Sequence, residues 1–256
     1  MSHTAPTVGV VGVGAMGGAF AAGLAPHADV VVEDAMPGRA DEVAASIGVR
    51  AGDAAGCDMV VLAVKPQDLQ ATAESVAPRL RPGATVVSVA AGWTLARLEA
   101  AVPGHPIVRL MPNLAVAHGS GVVAMATTGL SDAEVEGVRE LLGPLGAVVV
   151  IDEDLFGAAT AVAGSGPGFL AYVARAMEDG GVQQGLARHD ARAMVQAVLA
   201  GTAALLADGT DPGDLQARVT SPGGTTAAGI AVLDDAGTAA TVGQALGAAT
   251  RRAAEL

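Results

Sequence analysis

The chain has 256 residues, 51% of them apolar and 16% charged, and a formal net charge of −12. That length suits one large domain or two small ones, and the apolar content excludes disorder. The acidic balance argues against nucleic acid and anionic membranes as partners. In chain order, short β-rich apolar runs predict strands at 7–13, 30–33, 59–64, 85–90, 107–111, 122–126 and 147–151. Helical periodicity fills several gaps, at 15–25, 39–47 and 132–142. Strands alternating with helices predict an α/β fold with a parallel, doubly wound sheet. Ser131 and Glu134 have the spacing of a capping box at the start of the helix 132–142.

The first predicted strand runs into Gly12-Val13-Gly14-Ala15-Met16-Gly17, which opens a helix. This is the context a dinucleotide fingerprint requires. Gly12 permits the tight turn, Gly14 lets a pyrophosphate approach the backbone, and Gly17 allows close helix–strand packing. The second strand ends at Glu33-Asp34, where a carboxylate accepts from ribose hydroxyls and repels a 2′-phosphate. That favours NADH slightly over NADPH, although Arg39 offers a partner for such a phosphate. Val64-Lys65-Pro66-Gln67 ends the third strand on the ligand-binding edge, with Lys65 in reach of a ribose or phosphate. Ser88-Val89-Ala90-Ala91-Gly92 closes the fourth with small side chains that leave room for a nicotinamide. Asn113, after the fifth, is placed to orient the carboxamide or the substrate.

The single cysteine, Cys57, permits no intrachain disulfide, so a reducing, cytoplasmic setting is expected. It is read as a buried spectator. The first twelve residues lack a basic n-region, so no signal peptide is expected. The uncharged stretch 155–174 has the length of a bilayer span, but Pro167, Ser165 and its glycines point to a buried helix with a functional turn. After Ile151 the strand signal stops and the chain becomes Ala-, Leu- and Gly-rich with helical spacing. Two domains are therefore expected, 1–151 and an all-helical 152–256. The second is too small and too poor in aromatics to bury its own surface, which predicts a homodimer through it. No His, Cys, Asp and Glu cluster has ligand spacing, so no metal is expected.

Val219-Thr220-Ser221-Pro222-Gly223-Gly224-Thr225-Thr226 concentrates backbone N–H and hydroxyl donors at one point. That is a way to hold a small carboxylate without a basic side chain. As a set and in order, G-x-G-x-M-G, V-K-P-Q, S-V-A-A-G, R-x-M-P-N, G-S-G-P and V-T-S-P-G-G-T-T resemble the pyrroline-5-carboxylate reductase family from Val8 to Leu256. The resemblance implies a Rossmann domain followed by a helical dimerisation domain, often assembled into decamers. It implies reduction of 1-pyrroline-5-carboxylate to L-proline, the last step of proline synthesis. It places Ser221, Gly223, Gly224, Thr225 and Thr226 on the substrate, with Ser221 and Thr226 as the catalytic candidates. It places Val64, Lys65, Pro66, Ala90 and Ala91 beside the nicotinamide half of the cofactor, with Ala15 and Met16 in the fingerprint turn.

This chain departs from the family pattern at Leu114-Ala115, Gly168-Phe169, Arg175 and Asp34-Ala35. The first three leave open a reductase of a neighbouring cyclic imine, 1-pyrroline-2-carboxylate or 1-piperideine-2-carboxylate, or a catalytically impaired NAD(P)-binding paralogue. The chain's only lysine is Lys65, against thirteen arginines. His189, expected in an inter-helix loop, and Tyr172 are the remaining base candidates in the helical part. Alcohol chemistry needs such a base. A protonated cyclic imine accepts hydride directly and needs mainly placement.

Overall fold

The computed structural model describes residues 6–255; the closing Leu256 of the family resemblance lies outside them. Among the described residues eight strands form one sheet: β1 Thr7–Val11, β2 Asp29–Glu33, β3 Arg50–Ala51, β4 Met59–Leu62, β5 Thr85–Ser88, β6 Ile107–Pro112, β7 Gly121–Thr128 and β8 Gly146–Val150. Their spatial order is 3-2-1-4-5-6-7-8. The order reverses at β1, so the carboxyl ends of β1 and β4 flank the switch point where ligands bind in such sheets.

All pairings are parallel except β6 with β7. The exception has a simple cause. Only residues 113–120 join the two strands, through a single 3-10 turn at Leu114–His118. A crossover to a parallel strand needs a dozen residues or more. Two-residue β3 was not expected, being too short to leave a periodic trace. The first strand stops at Val11, two residues before its expected end, because Gly12 turns the chain with φ +91°.

Helices cover both faces: α1 Ala15–Leu24, α2 Arg39–Ile47, α3 Leu69–Val76, α4 Leu95–Ala101 and α5 Asp132–Leu142. Val8, Val10 and Val61 meet Phe20 and Leu24 on one side, while Val11, Val60 and Leu62 meet Leu69 and Leu98 on the other. Each such side chain contributes roughly 1.5–3 kcal/mol on burial. The expected capping box of α5 is present. Ser131 accepts from the Glu134 amide, and Glu134 accepts from the Ser131 amide at 2.8 Å.

By contacts the chain divides into residues 1–164 with 249–256, and residues 165–248. The strand signal ends near 151, yet the next thirteen residues stay with the sheet. Glu153 accepts from the Leu95 amide at the start of α4 and from Arg109 on β6, both at 2.7 Å. Phe156, which opens the short α6 (Phe156–Ala159), is buried and lies under the Arg109 guanidinium at 4.3 Å. A π-helical turn, Thr160–Gly164, follows. Asn113 donates to the Ala163 carbonyl in it at 3.0 Å.

The second unit comprises α7 Gly166–Gln183, α8 Arg188–Ala207, α9 Pro212–Arg218, α10 Thr225–Asp235 and most of α11 Thr238–Ala253. Among its residues only Ala191 and Val195 are buried. The stretch 155–174 is therefore not one buried helix. It is broken by the π turn, and its α7 part leaves Leu170 and Tyr172 exposed. His189 lies in the first turn of α8 and not in a loop, exposed and 3.2 Å from Asp190.

Candidate active site

The fingerprint turn has the shape that a dinucleotide needs. Gly12 adopts φ +91°, which disfavours any residue with a side chain. A Cβ on Gly17 would lie 1.9 Å from the Gly12 carbonyl oxygen, whereas one on Gly14 would meet nothing within 4 Å. The first contact is packing that only glycine allows; the second is open space at the helix start, the room a phosphate requires. The α1 N-terminus has no side-chain cap, so the first amides, from Ala15 and Met16 onward, are left for an anion.

A cleft of about 680 Å³ opens beside this turn. Gly12, Gly14, Glu33, Asp34, Arg39, Val64 and Lys65 line it, together with Thr72, Ser75 and Val76 of α3 and Arg79. The residues present thus fit a dinucleotide by steric room, free amides and position at the switch point.

Within the cleft the two carboxylates at the end of β2 are already engaged. Asp34 accepts from the Val13 amide at 2.8 Å and the Met36 amide at 2.9 Å, so it ties the end of β2 to the fingerprint turn. Glu33 accepts from Arg79 through both oxygens, at 2.9 and 3.1 Å, and from the Ala54 amide at 3.0 Å. Arg79 also reaches Asp53 at 2.8 Å. Arg39 donates to Met36 Sδ at 3.3 Å. Arg79 was not foreseen. It lies 46 residues from Glu33, and nothing local in the sequence marks that pairing.

The other expected cofactor residues have distinct places. Pro66 opens a 3-10 turn, and its carbonyl accepts from the Trp93 indole at 3.0 Å. Ala90 is buried, and Ala91 lines a small cavity with Gly92, Arg109, Phe156 and Thr160. Asn113 is buried and its amide bonds backbone groups. Its oxygen accepts from Ala115 at 3.2 Å and Val122 at 3.3 Å, while its nitrogen holds Ala163. The structure thus makes Asn113 a joint between β7 and the π turn. Burial pushes the Cys57 thiol up, as befits a spectator.

In the helical unit the octet forms the link between α9 and α10. Gly223 takes φ +70°, and a Cβ on Gly224 would lie 2.4 Å from Ser221 Oγ. The Gly224 amide donates to the Ser221 carbonyl at 2.9 Å, and Gly224 opens α10 without a side-chain cap. Ser221, Gly223, Gly224, Thr225 and Thr226 are thereby gathered at one helix start, where uncapped amides favour an anion. Of the departures from the family pattern, Ala35, Leu114, Gly168 and Arg175 are exposed.

A family model described as pyrroline-5-carboxylate reductase dimerisation matches residues 153–256, and one described as NADP oxidoreductase, coenzyme F420-dependent, matches residues 7–92. The pyrroline-5-carboxylate reductases of Pseudomonas aeruginosa and Synechocystis sp. are each 35% identical to this chain. They align with 98% and 97% of it and with 97% of their own lengths. The solved pyrroline-5-carboxylate reductase from Coxiella burnetii superposes with a TM-score of 0.90 at 27% identity, covering 98% of both chains. That of Streptococcus pyogenes gives 0.80 at 30% identity, covering 99% of this chain and 100% of its own. A dinucleotide turn on a doubly wound sheet, a donor-rich link in a helical unit, and this identity along nearly the whole chain lead to one conclusion: the chain belongs to the pyrroline-5-carboxylate reductase family.

Proposed function

We propose that this protein reduces 1-pyrroline-5-carboxylate to L-proline, the last step of proline biosynthesis, with NAD(P)H as the hydride donor. The observation that carries the reading is the pairing, on a chain of this family, of an open fingerprint cleft with the uncapped Ser221–Thr226 helix start. A solved relative from Plasmodium falciparum has NADP bound.

The turn Gly12–Gly17 and the α1 amides would hold the pyrophosphate. Val64, Lys65, Pro66, Ala90 and Ala91 would border the nicotinamide half. A bound reduced nicotinamide supplies the hydride. In this reading Gly224 shapes the turn, the amides of Gly223, Thr225 and Thr226 hold the substrate carboxylate, and the Ser221 and Thr226 hydroxyls orient the ring. The imine nitrogen is protonated near neutral pH, so its carbon accepts hydride without a protein base, and placement supplies most of the rate. This agrees with Lys65 being the only lysine and with His189 and Tyr172 standing in solvent.

NADH is the favoured donor in this reading, since Asp34 sets a negative charge at the end of β2 where a 2′-phosphate would lie. The protein works as a homodimer through its helical unit, with a decamer as the larger assembly the family resemblance implies, and acts in the cytoplasm. Among the described residues α8 has the length and apolarity of a membrane-crossing helix. Its bare face suits a partner subunit, because Arg188, Asp190 and Arg192 crowd its first turns.

The deciding experiment is initial rates of NADH and NADPH oxidation with 1-pyrroline-5-carboxylate, with proline identified as product. Turnover to proline is expected, faster with NADH. A folded protein that binds NADH but yields no proline would overturn the assignment and redirect the search to six-membered and 2-carboxylate imines.

A further inference from the structure

The two carboxylates at the end of β2 differ in what holds them. Asp34 binds only backbone amides and keeps its charge beside the fingerprint turn. Glu33 is gripped by both arms of the Arg79 guanidinium and by the Ala54 amide, in a half-buried setting where side-chain exposure is 28% for Glu33 and 33% for Arg79. A bidentate pair of this kind holds its geometry and its neutrality better than a surface contact does. Arg79 sits on the 3-10 turn Ala77–Arg79 that follows α3, and α3 supplies one wall of the cleft. It also carries Asp53, so one cation answers two carboxylates drawn from different parts of the chain.

We infer that Arg79 is a specificity-determining residue: by neutralising Glu33 it sets how strongly the cleft discriminates between NADH and NADPH. The inference rests on the reading of this cleft as the dinucleotide site. The adenosine ribose of a dinucleotide lies at the end of the second strand. A 2′-phosphate there meets the sum of nearby charges. With Arg79 in place, Glu33 and Asp53 together leave one negative charge where there would be two, and it adds to the charge of Asp34. Without Arg79, Glu33 and Asp53 both become uncompensated. Without the Glu33 charge, Arg79 is left facing the cleft with only Asp53 to answer it.

The test is equilibrium binding of NADH and NADPH to the full-length protein, followed by cofactor fluorescence with no imine present. For Arg79→Met the ratio of the NADPH to the NADH dissociation constant rises on the order of tenfold, the scale of one unit charge changed well inside a screening length of a phosphate. For the near-isosteric Glu33→Gln the ratio falls by a similar factor. Arg79→Lys keeps the charge and holds the ratio near the wild-type value. Affinities that drop equally for both cofactors, with an unchanged ratio in both Arg79→Met and Glu33→Gln, would mean a structural tie only and overturn the inference. If the wild-type protein bound neither cofactor, the dinucleotide reading itself would fall, and this inference with it.

Discussion

The sheet unit and the helical unit are built to opposite plans. Residues 6–164 pack both faces of a sheet beneath helices, so Val8, Val61, Phe20 and Leu69 are wholly shielded from solvent. Residues 165–248 form four whole helices and most of a fifth, yet bury only Ala191 and Val195. One unit closes a core along its own chain, whereas the other leaves large apolar side chains such as Leu170, Met194 and Val198 bare. A parallel sheet needs cover on both faces and finds it along its own chain. Long Ala- and Gly-rich helices lack the side-chain bulk to close a core by themselves.

The sharpest break of this contrast is to charge the bare face. Met194 and Val198, one turn apart on α8, are 56% and 51% exposed. If that face is the subunit interface, the double variant Met194→Asp, Val198→Asp forfeits roughly 1.5–3 kcal/mol of apolar burial per side chain and adds charge there. Sedimentation should show monomers and imine turnover should vanish, while NADH binding by the sheet unit survives. An intact dimer would mean that this face is not the interface.

The next largest effect tests why residues 153–164 belong with the sheet. The Arg109 side chain is only 11% exposed and holds Glu153 at 2.7 Å. Arg109→Met leaves the part-buried Glu153 one partner short and should cost about 1–3 kcal/mol, lowering the melting temperature by roughly 3–10 °C for a chain of this size. Glu153→Gln should cost less, since an amide oxygen still accepts from Leu95. Equal melting curves for wild type and both variants would show that the ion pair does not anchor this segment.

A third change separates site from scaffold within the sheet unit. Gly14→Ala meets no neighbour within 4 Å, so stability should hold. The added methyl occupies phosphate space, and affinity for NADH and NADPH should fall together by about tenfold or more, at least 1.4 kcal/mol. Unaltered binding would move the pyrophosphate elsewhere. The smallest effect lies at the foot of the sheet. Hydrogen bonds from the Thr7 hydroxyl and then its amide hold the Asp58 carboxyl below the usual range. A carboxyl depressed in the folded state stabilises above its unfolded pKa, and that stabilisation is lost as pH falls below about 4. Asp58 is half exposed, so solvent screening keeps the effect under about 1 kcal/mol. Asp58→Asn should flatten the acid limb of melting temperature against pH, and an unchanged limb would assign acid sensitivity to other groups.

The alternation of strands and helices, the fingerprint turn, the capping box at Ser131 and the small-residue link before α10 are legible in the residues alone. These are local: strand periodicity, a glycine that must take positive φ, and a cap three residues from its partner are all written within a few positions. The remaining features depend on partners far apart in the chain. The antiparallel β7 follows from the length of a connection. The attachment of 153–164 to the sheet depends on Arg109 and Asn113, 44 and 50 residues before their partners. The engagement of Glu33 depends on Arg79, 46 residues away. A side chain's type can be read where it stands, but whether its charge is free or spent is settled only when the fold brings its counter-charge within hydrogen-bonding distance.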